Sequence, residues 1–125
     1  MQTEEAKDKR AELQAGLAMH TGTETWFRHW AGSMLFTEGI HFLAEQANAF
    51  WLIDNVAWGR MNARLSREAF VAWKLRVNAD KSAELIADDG NGVELLRQHV
   101  PWTDFPLEEI TLYLTDGVLL LPSEY

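Results

Sequence analysis

AFVAWKLRVN, residues 69–78, is where the chain changes its period. Val71, Trp73, Leu75 and Val77 alternate with Ala72, Lys74 and Arg76, the two-residue repeat of a strand with one buried face. Upstream, apolar residues recur every three and four positions. Downstream, short apolar runs are cut by glycine-bearing turns at Gly90, Gly92 and Gly117. The stretch therefore divides a helical half from a β-rich half and sets the fold class as α+β.

Glu4 to Leu17 reads as a helix, peripheral because its apolar positions are few (Ala6, Leu13, Leu17). In HTGTETWFRHW, residues 20–30, Thr23 offers a cap and Glu24 stands four residues before Arg28. A short helix or turn is expected there, with Glu24 pairing Arg28. The next helix opens at Thr37, with Glu38 at the positive end of its dipole and Ile40, Leu43, Ala44 and Ala47 on one face. A second helix follows a junction near Asn48. In it Phe50, Ile53, Ala57 and Met61 share a face, with Trp51, Asp54 and Trp58 beside them. Arg60, Arg64 and Arg67 form a basic ridge if that helix runs on.

Beyond residue 78, SAELIADDGNGVELLRQHV reads as two strands joined by a glycine-bearing turn. PWTDFP is a proline-bounded loop. EITLYLTDGVLLLP reads as a hairpin turning at Asp116-Gly117, with a helix over 107–114 as the alternative because PLEEITLYL opens on a proline and two acids. The expected architecture is N-terminal helices packed on one face of a mainly antiparallel sheet of about four to five strands. The 125 residues suit a single domain: a peripheral helix over 1–17, a helical half over 18–65 and a β-rich half over 69–122.

Composition excludes several classes of function. Without cysteine there are no disulfides, thiolate metal sites or cysteine nucleophiles, which fits a reducing cytoplasm. The charged start MQTEEAKDKR is not expected to be a signal peptide, and no apolar run suits a membrane span. The net charge of −8 is confined to the last third. Residues 1–79 hold nine acids and nine bases, whereas residues 80–125 hold ten acids against Lys81 and Arg97. That distribution argues against direct nucleic-acid binding and allows a basic protein partner.

Two groups of residues are candidates for chemistry. His29 with Glu24 or Asp54 forms a base and its orienter, and Arg28 is placed to hold an anion; the structural alternative is the Glu24–Arg28 ion pair. His41 and Glu45, at i and i+4, are weak metal candidates needing a third ligand from elsewhere. Binding is the other possibility. Asp88, Asp89, Glu108 and Glu109 supply an acidic surface, and Trp51 and Trp58 an aromatic one, with core packing as the ordinary role for tryptophan.

The segments GTETWFRHW, FTEGIHFLAEQANAFWLID, VAWKLRV, DDGNG, WTDFPLEEITLYL and GVLLLPSEY together resemble a family of short bacterial proteins of unknown function that recurs in genomes with phage- and plasmid-derived DNA. The resemblance covers nearly the whole chain after about Leu17, and its most specific parts are TDFPLEEITLYLTDGVLLLPSEY and AFWLID. It implies no activity, cofactor or catalytic residue. It implies an accessory gene on mobile DNA, whose products often act by binding host or competing factors.

The expectation is thus a small, non-enzymatic, cytoplasmic interaction protein without a cofactor, docking a protein partner through an acidic or tryptophan-rich surface. A small enzyme or ligand-binding domain with a His/Glu/Arg/Asp pocket is the alternative. A homodimer burying the tryptophans is compatible with both.

Overall fold

The computed structural model describes residues 4–20, 25–30 and 34–125. Its elements are α1 (Glu4–Ala18), β1 (Trp26–Arg28), β2 (Leu35–Thr37), α2 (Glu38–Gln46), α3 (Phe50–Gly59), α4 (Ala63–Ser66), β3 (Phe70–Val77), β4 (Ala83–Asp88), β5 (Glu94–Val100), β6 (Glu109–Thr115) and β7 (Val118–Leu120), closed by a 3-10 turn over Pro122–Glu124. The fold is α+β. Its sheet has seven strands in the order β1-β2-β7-β6-β3-β4-β5, more than the expected four to five. The additional pair, β1 and β2, comes from the half read as helical, and β2 joins β7 in parallel while the other pairings are antiparallel.

The stretch that marks the change of period is the central strand. β3 lies between β6 and β4, with Trp73 opposite Leu112 on one side and Ala87 on the other. Val71, Trp73 and Leu75 are buried, as are Leu85 and Ala87 of β4 and Ile110, Leu112 and Leu114 of β6. These alternates and the buried residues of α2 and α3 belong to one core cluster. Burying each such side chain is worth about 1.5–3 kcal/mol, so this shared face is the main source of cohesion. Gly59 makes the approach of α3 possible: a Cβ there would meet the six-membered ring of Trp73 and sit 3.3 Å from Leu96 Cδ2.

The helix signals hold at Thr37 and Asn48. Thr37 Oγ1 accepts from the Ile40 amide at 3.2 Å, and Ile40, Leu43, Ala44 and Ala47 are all buried. Asn48 takes a φ of 52°, a left-handed conformation that asparagine tolerates, and so separates the two helices. In α3 the buried stripe is Leu52, Ile53, Val56 and Ala57. Phe50 and Met61, read as sharing a face with Ile53 and Ala57, are exposed while those two are buried. The helix stops at Gly59, so Arg60, Arg64 and Arg67 do not share one continuous helical ridge.

The tail TDGVLLLPSEY is folded in. Residues 109–115 are a strand, which excludes the helix alternative, and Asp116 and Gly117 both have positive φ (51° and 77°), as a two-residue primed turn demands. Glu124 then reaches back: its Oε1 accepts from Thr37 Oγ1 at 2.7 Å and from the Leu121 amide at 2.9 Å. Ser123 Oγ donates to the His20 carbonyl at 2.7 Å. On the face of β3 opposite the core, Tyr125 packs edge to face on Phe70 and Tyr113, which are tilted against each other.

The β3–β4 turn carries a titration that can be checked. The Ser82 hydroxyl donates to Asp80 Oδ1 at 2.6 Å and the Ser82 amide at 2.9 Å. The hydroxyl first and the amide second hold the Asp80 carboxyl below the ordinary carboxylate range. A carboxyl lowered on folding stabilises the native state above its unfolded pKa, and that contribution is lost as pH falls through the lowered folded value. Ser82→Ala is expected to move the Asp80 carboxyl upward toward its ordinary value in an NMR titration. A titration unchanged by the substitution would refute the assignment.

Candidate functional site

β1 is short, but its sequence suits a strand edge. Trp26, Phe27 and Arg28 pair with Thr37, Phe36 and Leu35, and the His29 amide extends the ladder to the Met34 carbonyl at 2.8 Å. Aromatic residues favour this pleated setting. The expected helix from Thr23 is therefore corrected over Trp26–Arg28, and the i,i+4 pairing of Glu24 with Arg28 loses its helical basis. Thr23 and Glu24 themselves lie outside the described residues.

Strand alternation places Phe27 on one side and Arg28 on the other. Phe27 stacks on His41 of α2, with ring centroids 4.4 Å apart, and on Phe36 at 5.5 Å. His29, only 3% exposed, meets α3: its Nε2 is 2.7 Å from Asp54 Oδ1. A carboxylate accepts, so this ring nitrogen carries the proton. The same oxygen accepts from the indole N–H of Trp30 at 3.2 Å. The pairing of His29 with Asp54 anticipated from sequence is present, with an additional tryptophan on the same carboxylate.

α3 completes the site at four-residue spacing. Phe50, Asp54 and Trp58 lie at i, i+4 and i+8 and so stand on one side of the helix. Phe50 contacts His41 edge to face at 5.8 Å. Trp58 meets Trp30 at 6.3 Å between centroids, with the rings inclined by 73°. Trp30 is 75% exposed and Trp58 55%. The outcome is a solvent-facing aromatic rim around a buried histidine bonded to a partly exposed aspartate. Trp51, the other aromatic candidate, is half-buried against the core, and Trp30 was missed because nothing in its local pattern sets it apart from core tryptophans.

His41 Nδ1 and Glu45 Oε2 are 3.5 Å apart, an i,i+4 contact on a solvated helix face. Among the described residues no three histidine or acidic side chains gather as a metal site. A cleft of about 770 Å³ opens elsewhere, where Lys9 and Arg10 of α1 face Lys81, Asp104 and Glu108. Arg28, His29 and Asp54 are not among the residues lining it.

The four acids proposed from sequence as a partner surface, Asp88, Asp89, Glu108 and Glu109, fall into two separate pairs. Asp88 Oδ1 caps the Gly90 amide at 2.7 Å, and Asp89 Oδ1 accepts from Asn91 and Val93; both shape the β4–β5 turn. Glu109 pairs with Lys74 and Arg76 at 3.5 and 3.6 Å, and Glu108 precedes it. Asp88 stands opposite Ala72, and Glu109 opposite Arg76. Four residues of strand, roughly 13 Å, thus separate the two pairs. Glu84 and Glu94 are also engaged, with His99 and Arg97. The Arg97 guanidinium, bonded at 2.7 Å, holds the Glu94 carboxyl below its ordinary value.

No helix among the described residues is long and apolar enough to cross a membrane. No curated protein and no solved structure matches the chain. A family model does, over residues 11–125, and the segments that carry the rim and the folded-in tail all lie within it. The chain belongs to a family of unknown function, DUF6876.

Proposed function

We propose that the protein is a small, non-enzymatic interaction module of a mobile element that docks a protein partner on the rim of Trp30, Trp58 and Phe50. The observation that carries this reading is the exposed Trp30–Trp58 pair, 6.3 Å between centroids, with one indole tied to Asp54. Large apolar rings left in water are costly unless something covers them, and exposed tryptophans held in a fixed orientation lose little further entropy on binding. Tryptophan also dominates the energetics of protein interfaces. In this reading the helices form a layer over one face of the sheet, α3 presents the rim, and the protein acts in the cytoplasm.

The tryptophan version is favoured over the acidic one because seven of the last ten acids (Asp80, Glu84, Asp88, Asp89, Glu94, Glu109 and Glu124) are engaged in turns, hydrogen bonds or ion pairs. It is favoured over the enzyme because His29 is closed off from solvent and already bonded to Asp54. The test is capture from host extract by three baits: wild type, Trp30→Ala/Trp58→Ala, and a bait with Asp88, Asp89, Glu108 and Glu109 neutralised. A partner retained by the acid-neutralised bait and weakened about tenfold or more by the tryptophan variant supports the rim. Retention by the tryptophan variant with loss on neutralisation would move the interface to the acidic surface.

A further inference from the structure

We infer that the rim receives a lysine side chain of a basic segment in the partner, its ammonium seated between the Trp30 and Trp58 rings and Asp54. The inference rests on the docking reading above and adds the chemistry of the occupant. Three observations point to a cation. First, Trp30 and Trp58 stand edge to face and are both exposed, which leaves indole π-surface in solvent, and the negative face of tryptophan is the strongest aromatic attractor of cations. Second, Asp54 lies beside the pair, bonded to the Trp30 indole N–H and 39% exposed. Both of its hydrogen bonds, from His29 Nε2 and Trp30 Nε1, fall on Oδ1, so Oδ2 accepts none from the described residues. Third, the chain carries a net charge of −8, which draws a basic segment toward it at long range.

The same geometry selects the kind of cation. A guanidinium is matched to a carboxylate by two parallel hydrogen bonds, one to each oxygen. Here Oδ1 is already occupied by two donors, and one oxygen is left. A single acceptor beside two aromatic faces suits a compact point charge, which is the lysine ammonium. The two bonds to Oδ1 also fix the carboxylate before the partner arrives, so the site needs little rearrangement to bind.

The probe is a decapeptide of alternating lysine and serine, read by the indole N–H resonances of Trp30 and Trp58 in nitrogen-15-labelled protein. The comparison peptides are its fully lysine-acetylated form and the arginine equivalent. Saturable shifts of both indoles by the lysine peptide are expected, at least fivefold weaker in Asp54→Asn and absent with the acetylated peptide. Asp54→Asn keeps an acceptor for His29 and Trp30 while removing the charge, and an unchanged amide spectrum elsewhere confirms that its fold is intact. An equal response to the acetylated peptide, no response to any peptide, or shifts that survive Asp54→Asn would each overturn the cation assignment. Tighter binding of the arginine peptide would overturn the choice of ammonium. A captured partner that depends on Trp58 and is indifferent to Asp54→Asn would leave the docking reading standing without a cation; a partner indifferent to both substitutions would remove both readings.

Discussion

Trp73→Ala is expected to lower the free energy of unfolding by about 3–5 kcal/mol, the largest effect of any single substitution considered. Trp73 is 1% exposed at the centre of β3, flanked by Leu112 and Ala87 on its neighbouring strands. Above it lies α3, close enough that Gly59 touches its ring. Truncation to alanine opens a cavity between sheet and helix that neither can fill without bending. A domain of this size has roughly 5–15 kcal/mol in total, so the melting temperature should fall by roughly 10–20 °C. Trp73→Phe should cost much less. The indole N–H of Trp73 has no hydrogen-bond partner among the described residues, and phenylalanine removes that unsatisfied donor along with part of the volume. Urea unfolding of the three proteins checks the order; a Phe variant as unstable as the Ala variant would show that the ring's full width, and not its burial, is what matters.

The second large effect is expected at Gly59→Ala, about 2–3 kcal/mol. Alanine is ordinarily the better helix residue by up to about 1 kcal/mol, so the sign itself is diagnostic. The added methyl would fall on the Trp73 ring and press on Leu96, and both belong to packed surroundings with little room to yield. The cost should largely vanish in the Trp73→Phe background, where the ring no longer extends to α3. Residues in contact show such non-additivity, and a double-mutant cycle measures it. Additive costs would mean that the methyl clashes with something other than the indole.

What the sequence reveals depends on how far each signal reaches along the chain. Thr37, Asn48, the alternation of Val71, Trp73 and Leu75, and the Asp116-Gly117 turn are all local. Each acts within a few residues through a cap, a left-handed φ, a pleat or a tight turn, and each is found where the sequence places it. β1 and β2 are three residues each, too short to display a period. Leu35–Thr37 is strand because of β7, more than eighty positions away, and no local pattern announces such a partner. The candidate site divides in the same way. The pairing of His29 with Asp54 could be guessed from residue chemistry. The exposure of Trp30 could not, since a tryptophan at an edge strand and one in the core look alike until neighbours are assigned. The acids mislead for the opposite reason: their number is plain, but turn geometry and ion pairs, which need the fold, consume them.

The parallel seam between β2 and β7 also fixes an order of events during synthesis. β1 reaches the rest of the sheet through β2, and β2 through residues 118–120. A nascent chain emerging from the ribosome can pair β3, β4 and β5 by neighbouring turns, but β2, and β1 through it, wait for residues 118–120. His29 and Trp30 meet Asp54 in a settled arrangement only once Leu35 and Phe36 have found Val118 and Leu119. A chain lacking residues 118–120 would keep the β3–β4–β5 ladder but lose the seam that sets β2, and through it β1, in register.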